Sequence, residues 1–286
     1  MSTQQNSNTW QPDGTFTTSN IFFSNRNPDE EKQTILDWLT PLDFDSQQKE
    51  FLEKSLSGTG RWFLESPKYQ SWMDRRGQTL FCPGIPKSGK TILTAIVVDR
   101  LRERFLDSQT GIAYIYGNLH LQDQLKVGDL LASLLKQLSR YQAPLPSEVG
   151  DLYDRHKDRK TLPSLDEILM ALHSIARMFS RVFIILDALD ECQLSHGLRF
   201  LYELDRLQEM CDINILATSR FIPEIVAKFQ GKEILEIRGS REDVALYLRY
   251  YMEQLPSFVN DNDSLRHEIM EKISYAADGM YVFFKQ

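Results

Sequence analysis

Three features of the sequence predict an α/β fold: a three-layer, doubly wound parallel sheet. Short apolar runs alternate with amphipathic stretches of helical period from Thr79 onward, which is the pattern of strands joined by crossover helices. Gly84-Ile85-Pro86-Lys87-Ser88-Gly89-Lys90-Thr91 fits the spacing G-x-x-x-x-G-K-[ST]. It lies between an apolar run at 79–82 and a helical pattern at 91–105, the strand–loop–helix context that this spacing requires. Val182-Phe183-Ile184-Ile185-Leu186 is the most apolar run and ends in Asp187. A continuous apolar strand suits the centre of a parallel sheet, where both faces are buried.

The chain divides into four expected segments. Residues 1–28 are rich in Ser, Thr, Asn and Gln without periodicity, and are expected to be a disordered polar arm. Residues 29–76 carry helical patterns. Ile35, Leu36 and Leu39 share a face that Pro41 ends, a second amphipathic stretch covers 44–56, and Gly58-Thr59-Gly60 stops it. Residues 61–74 follow, with Trp62, Leu64, Tyr69 and Trp72 expected as core anchors; one of these aromatics could instead lie against a bound base.

Residues 77–239 hold the alternating strands and helices. A strand is expected at 112–116, ended by Gly117-Asn118. A helix at 130–138 places Leu130, Leu131, Leu134, Leu135 and Leu138 on one broad face. The mixed charges of 151–160 predict a solvated helix or loop. Ser164 and Glu167 form a capping box for a helix at 165–179. After the apolar strand at 182–186 come a helix at 197–210, a strand at 213–218 and a strand at 234–237. Residues 240–286 read as further helices, opened by Ser240 and again near Ser264, with an apolar end at 280–284.

Composition narrows the function classes. The chain has 286 residues, 42% hydrophobic and 26% charged, with a net charge of −7. An acidic balance disfavours nucleic acid as a partner, since that needs a basic face to displace counterions. No apolar run approaches the ~20 residues that cross a bilayer, and the first residues carry no charged-then-apolar leader. An intracellular, cytoplasmic location is therefore expected. Cys82, Cys192 and Cys211 lack metal-ligand or disulfide-framework spacing and are expected to be buried free thiols.

The loop's spelling follows from the chemistry of a triphosphate. Backbone N–H groups leading into a helix N-terminus wrap a dense anion. The glycines allow close approach and positive φ. Gly84 to Thr91 would thus form the nucleotide-phosphate cradle, with Lys90 on the β- and γ-phosphates and the Thr91 hydroxyl on Mg²⁺. Asp187 falls at a strand end, the rim where ligands bind in such sheets, and would share in holding Mg²⁺. Either Glu191 or Asp190 would polarise the attacking water. Arg220, at the tip of the 213–218 strand, would sense the γ-phosphate or stabilise charge in transfer.

Cys82-Pro83-Gly84-Ile85-Pro86, Leu186-Asp187-Ala188-Leu189-Asp190-Glu191-Cys192 and Ala217-Thr218-Ser219-Arg220 together resemble the NACHT domain of fungal NOD-like receptor proteins. Those proteins are signal-transducing P-loop ATPases of the STAND class. Upstream, residues 38–44 and Gly58-Thr59-Gly60-Arg61-Trp62 resemble the segment that precedes this domain in ankyrin-repeat members. The resemblance covers 34–280 and implies a sheet order 5-1-4-3-2, with 240–286 as the start of a helical lid. It also implies an ATP/ADP switch in which the ATP form oligomerises. Lys87 departs from the pattern, since relatives often carry a small residue there. The family's winged-helix domain, repeat sensor and effector have no counterpart in the sequence, so a NACHT core alone, with a truncated lid, is expected.

The leading expectation is therefore an ATP/ADP-binding signalling module with Mg²⁺, hydrolysing ATP slowly or not at all, with self-association or longer NACHT proteins as partners. The alternatives are a free-running NTPase or phosphotransferase, and a truncated, non-catalytic interaction fragment. GTP is disfavoured because the Asn-Lys-x-Asp guanine-reading signature does not occur.

Overall fold

The computed structural model of the chain describes residues 5–10, 16–21, 28–106, 109–117, 126–252, 254–255, 259 and 262–277. The expectations for Asn118 and the apolar end at 280–284 fall outside the described residues.

A five-stranded parallel sheet organises the molecule. Its strands are β3 (Thr79–Pro83), β4 (Thr110–Ile115), β5 (Arg181–Leu186), β6 (Ile213–Ser219) and β7 (Glu233–Ile234), ordered β4-β5-β6-β3-β7. This is the 5-1-4-3-2 order that the resemblance implies, and β6 lies between β3 and β5. Register pairs Pro83 with Ser219 and Leu186 with Ala217, so the C-terminal ends of β3, β5 and β6 meet along one rim. Every residue of β3, β4 and β6 is buried. Since successive side chains point to opposite faces, both faces of the sheet must be covered, which makes the architecture three-layered. Phe183, Ile184 and Ile185 are fully buried, each contributing about 1.5–3 kcal/mol by leaving water. β7 is short, but its ladder continues: Leu235 N–H donates to Phe81 O (2.9 Å) and Ile237 N–H to Pro83 O (2.7 Å).

Helices flank this sheet. α1 (Pro28–Leu39) and α2 (Asp45–Glu53) precede it, and α2 packs on α5 (Lys90–Arg104). The single stretch expected at 61–74 is two helices, α3 (Arg61–Leu64) and α4 (Pro67–Asp74). The reason is local: Ser66 accepts a hydrogen bond from Tyr69 N–H as N-cap, and Pro67, which has no N–H to donate, starts the next helix. Tyr69 and Trp72 are core residues as expected, with Trp72 Nε1 donating to Ile215 O at 2.9 Å. α6 (Val127–Arg140) buries all five leucines of the expected face. The charged run at 151–160 is helical through Lys157 as part of α7 (Ser147–Lys157), anchored by buried Val149 and Leu152. α8 (Leu165–Ala176) carries the capping box of Ser164 and Glu167. α9 (Leu194–Met210) packs on β6, α6 and α8.

α10 (Pro223–Lys228), which the sequence pattern did not signal, follows β6. α11 (Arg241–Met252) and a last helix, α12 (Asp263–Ala277), form a smaller unit. There Val244 and Leu248 pack against Met270 and Ile273, apart from the main core.

Two expectations need correction. Within the stretch expected to be a disordered arm, β1 (Gln5–Trp10) pairs antiparallel with β2 (Phe16–Ile21). Thr9, Trp10, Phe16, Thr17, Thr18 and Ile21 are residue types that favour extended backbone, and their share of the arm was masked by its polar average. Of the three free cysteines, only Cys82 is buried, while Cys192 and Cys211 are half-buried near the surface.

Candidate functional site

The loop between β3 and α5 carries the special backbone its sequence foretells. Gly84 N–H donates to Ser219 O at 3.0 Å, tying the loop to the end of β6. A Cβ on Gly84 would stand 2.5 Å from Ile237 O and 2.6 Å from Ser88 Oγ, so only glycine fits. Gly89, which precedes α5, has φ 90°, a conformation that costs glycine nothing. Lys87 adopts φ 63° with its side chain exposed, a left-handed conformation that costs a non-glycine residue about 1–2 kcal/mol.

Lys90 folds back over the loop. Its Nζ donates to Gly84 O (2.9 Å) and Ile85 O (2.8 Å). Burial lowers its pKa, while the nearby carboxylates of Asp190, Asp187 and Glu191 act in the opposite direction. Two neutral carbonyls are weaker partners for an ammonium than phosphate oxygens, since charge-assisted bonds are roughly twice as strong.

Asp187 stands at the end of β5, buried, with its Oδ1 accepting from Thr218 Oγ1 (2.7 Å) and Thr94 Oγ1 (3.1 Å). Thr91, at the start of α5, lies near enough to this carboxylate to favour its charged form. Burial pushes the Asp187 pKa up against those hydrogen bonds. The chain then turns through Ala188, at φ 49°, into a single 3-10 turn, Leu189–Glu191. Thr218 steadies the turn by accepting from Ala188 N–H at 2.9 Å. Glu191 is half-buried, and its pKa is raised by burial and then by Asp187 and Asp190. The Asp190 side chain, 4% exposed, accepts from Arg220 twice: from the backbone N–H at 2.8 Å and from Nε at 2.5 Å.

Gly84 to Thr91, Asp187, Asp190, Glu191 and Arg220 are thus gathered at one rim of the sheet. Their residue types fit a magnesium nucleotide. The glycine cradle excludes side chains, Lys90 supplies a cation, and Thr91 and Asp187 offer the hard oxygen donors that Mg²⁺ prefers.

A further group borders the loop that the motifs alone did not mark. Thr59, Gly60, Trp62, Ser88, Gly89, Ile92, Leu93, Ile237, Asp243 and Tyr247 enclose a cavity of about 10 Å³, close to the room one water needs. Thr59 Oγ1 and Ser88 Oγ are buried there without a hydrogen-bond partner. Asp243, buried on α11, accepts from Gly60 N–H (3.1 Å) and Trp62 Nε1 (3.0 Å), joining the segment before the sheet to the helices after it. Ser240 Oγ caps α11 by accepting from Asp243 N–H at 3.0 Å. In the sequence, the aromatic at Trp62 and the cap at Ser240 were visible; their meeting was not.

Residues 58–220, more than half of the chain, match the family model described as Nephrocystin 3, N-terminal. The chain belongs to this family. Within the nephrocystin 3 N-terminal family, the matched span runs from Gly58, beside the cavity, to Arg220 at the tip of β6. It contains the whole phosphate loop and the acidic turn. The resemblance to a NACHT-type P-loop NTPase agrees with this family and with the sheet order, and the chain is a P-loop NTPase-like nucleotide-binding module.

No curated protein matches the chain. Among solved structures it is similar to a DNA replication initiation factor, at 16% identity and TM-score 0.41, covering 78% of this chain and 63% of that one. It is also similar to the Aeropyrum pernix ORC1 protein in complex with DNA, at 14% identity and TM-score 0.42, covering 85% and 63%. A third is CDC6p from Pyrobaculum aerophilum, at 17% identity and TM-score 0.40, covering 79% and 50%. The chain spans 63%, 58% and 63% of the lengths of the first three solved proteins it matches. At these scores the fold rests on the sheet's own order rather than on any one of these likenesses. Among the described residues no helix is long and apolar enough to cross a membrane.

Proposed function

We propose that the chain is an ATP/ADP-binding switch of the NACHT type that uses Mg²⁺ and hydrolyses ATP slowly. One observation carries this reading: Lys90, Asp187, Glu191 and Arg220, from three separate segments, converge around the glycine loop at the C-terminal rim of β3, β5 and β6. In this reading Lys90 exchanges its two carbonyl partners for phosphate oxygens. Thr91 and Asp187 hold the metal, which would neutralise charge on the β- and γ-phosphates. Glu191 faces the site without a hydrogen-bonding partner among the described residues and polarises water. Arg220 reads the γ-phosphate.

The closed cavity beside Ser88 and Gly89 is the natural place for the base. Trp62, Ile92, Leu93 and Ile237 give it apolar walls, and the unpartnered hydroxyls of Thr59 and Ser88 lie at its edge. Its small volume means that α3 and α11 must separate for a base to enter. Residues 29–76 then act as a linker, 77–239 as the nucleotide-binding domain and 240–286 as the start of a helical lid. Nucleotide occupancy would bias the linker–lid contact, and through it self-association.

Equilibrium binding of fluorescent ATP and ADP tests the proposal. Lys90→Ala is expected to lower triphosphate affinity by about 100-fold or more, two to three charge-assisted bonds at 1.5–3 kcal/mol each being lost. Glu191→Gln is expected to keep binding and slow hydrolysis. Equal loss of binding in both variants, or no binding by the wild type at millimolar nucleotide, would overturn it.

A further inference from the structure

We infer that Asp190 is the positioning residue for Arg220, holding it ready to distinguish a triphosphate from a diphosphate. The inference rests on the ATP/ADP reading above and goes beyond it by separating the two acids of the turn. Asp190 and Glu191 are neighbours in sequence but have different surroundings. Both oxygens of the Asp190 carboxylate are engaged by one residue: Oδ1 by the Arg220 backbone N–H and Oδ2 by its Nε. The carboxylate is almost fully enclosed, whereas the Arg220 side chain is 46% exposed.

That geometry fixes the arginine at two points. The backbone bond sets where β6 stops and the chain turns away. The Nε bond sets the plane of the guanidinium. Because the guanidinium is a rigid planar fork, fixing one edge aims the rest, and Nη1 and Nη2 meet no acceptor among the described residues. Ser219, directly before Arg220, accepts from Gly84 N–H at 3.0 Å, so the pair stands beside the phosphate loop. An arginine already held in this way loses less side-chain freedom on binding an anion. Asp190, with its oxygens committed to Arg220, is not placed to take a proton from water, and that role falls to Glu191 alone.

The test is a double-mutant cycle on the full chain, using a non-hydrolysable ATP analogue and ADP as probes with Mg²⁺. Arg220→Ala is expected to weaken the analogue by about 10–100-fold, the range of a charge-assisted bond. Asp190→Ala is expected to weaken it by about tenfold, since the arginine remains but is no longer aimed. In both, ADP affinity should change less than about threefold, and the double variant should be no weaker than Arg220→Ala. Asp190→Asn, which keeps size and one acceptor oxygen, should fall between wild type and Asp190→Ala, and should retain the single-turnover hydrolysis rate that Glu191→Gln slows.

Multiplicative losses in the double variant would overturn the inference, because the two residues would then act independently. Equal loss of ADP and analogue in Asp190→Ala would reduce Asp190 to a structural role. Loss of hydrolysis in Asp190→Asn as deep as in Glu191→Gln would make it a base. Wild-type protein that binds neither probe would overturn the nucleotide reading itself, and this inference with it.

Discussion

Replacing Asp243 by alanine removes a buried acceptor that joins α11 to the segment before the sheet. The carboxylate is 3% exposed and accepts from Gly60 N–H and Trp62 Nε1 at 3.1 and 3.0 Å. A hydrogen bond to a charged acceptor is worth about 1.5–3 kcal/mol, and the variant leaves both donors facing the α11 backbone without a replacement. Part of that loss is offset because a buried carboxylate no longer has to be desolvated. The expected net cost is about 2–4 kcal/mol, two buried N–H donors being left unsatisfied at about 1–3 kcal/mol each, less the recovered desolvation.

At about 2–4 °C per kcal/mol for a chain of this size, calorimetry should show a midpoint lowered by roughly 4–16 °C. If α11 and α12 detach first, the loss should appear as an early, separate transition instead. Asp243→Asn keeps one acceptor oxygen and should lose about half as much. Trp62→Phe deletes the indole N–H donor, along with part of the ring, and should couple to Asp243→Ala by at least about 1 kcal/mol in a double-mutant cycle. A midpoint for Asp243→Ala within a degree of wild type, or additive effects of the Trp62 and Asp243 changes, would refute the reasoning.

Further predictions concern the loop and the acidic turn. Glu191 has its pKa raised by burial and by the neighbouring carboxylates of Asp187 and Asp190. Between the ordinary carboxylate value of about 4 and that raised value, the folded chain therefore binds more protons than the unfolded chain. Stability without nucleotide should fall as pH rises through that window, and urea midpoints for Glu191→Gln should show a shallower fall. Lys87→Gly should raise stability by about 0.5–1 kcal/mol, the relief of left-handed strain less the entropy cost of glycine. Lys87→Ala should bring no such gain, and a loss in the glycine variant would show that the Lys87 conformation is not strained. Gly84→Ala should abolish nucleotide binding and lower the midpoint, because its Cβ would meet the Ile237 carbonyl at 2.5 Å; normal binding by this variant would mean the loop moves freely.

Much of this architecture is written locally. The loop from Gly84 to Thr91 announces the strand before it and the helix after it, because phosphate binding needs those three in one run. The apolar run of β5 marks a central strand because no half-exposed strand would tolerate it. Ser66-Pro67 marks the break between α3 and α4, but the aromatic anchors on either side invite a single helix. The contacts that close the site are of another kind. Asp243 meets Gly60 across 183 residues of chain and Asp190 meets Arg220 across 30, and nothing in either local sequence names its partner. β1 and β2 illustrate a third limit, in which a few strand-favouring residues are diluted by Ser, Asn and Gln.

The central claim is that the loop, the acidic turn and Arg220 form a nucleotide switch. The most direct measurement is to denature the purified protein and identify and quantify the released nucleotide by chromatography, with Lys90→Ala as control. The account predicts near-stoichiometric adenine nucleotide from the wild type and none from the variant. A folded wild-type protein that carries no nucleotide, and still carries none after incubation with Mg-ATP, would contradict it.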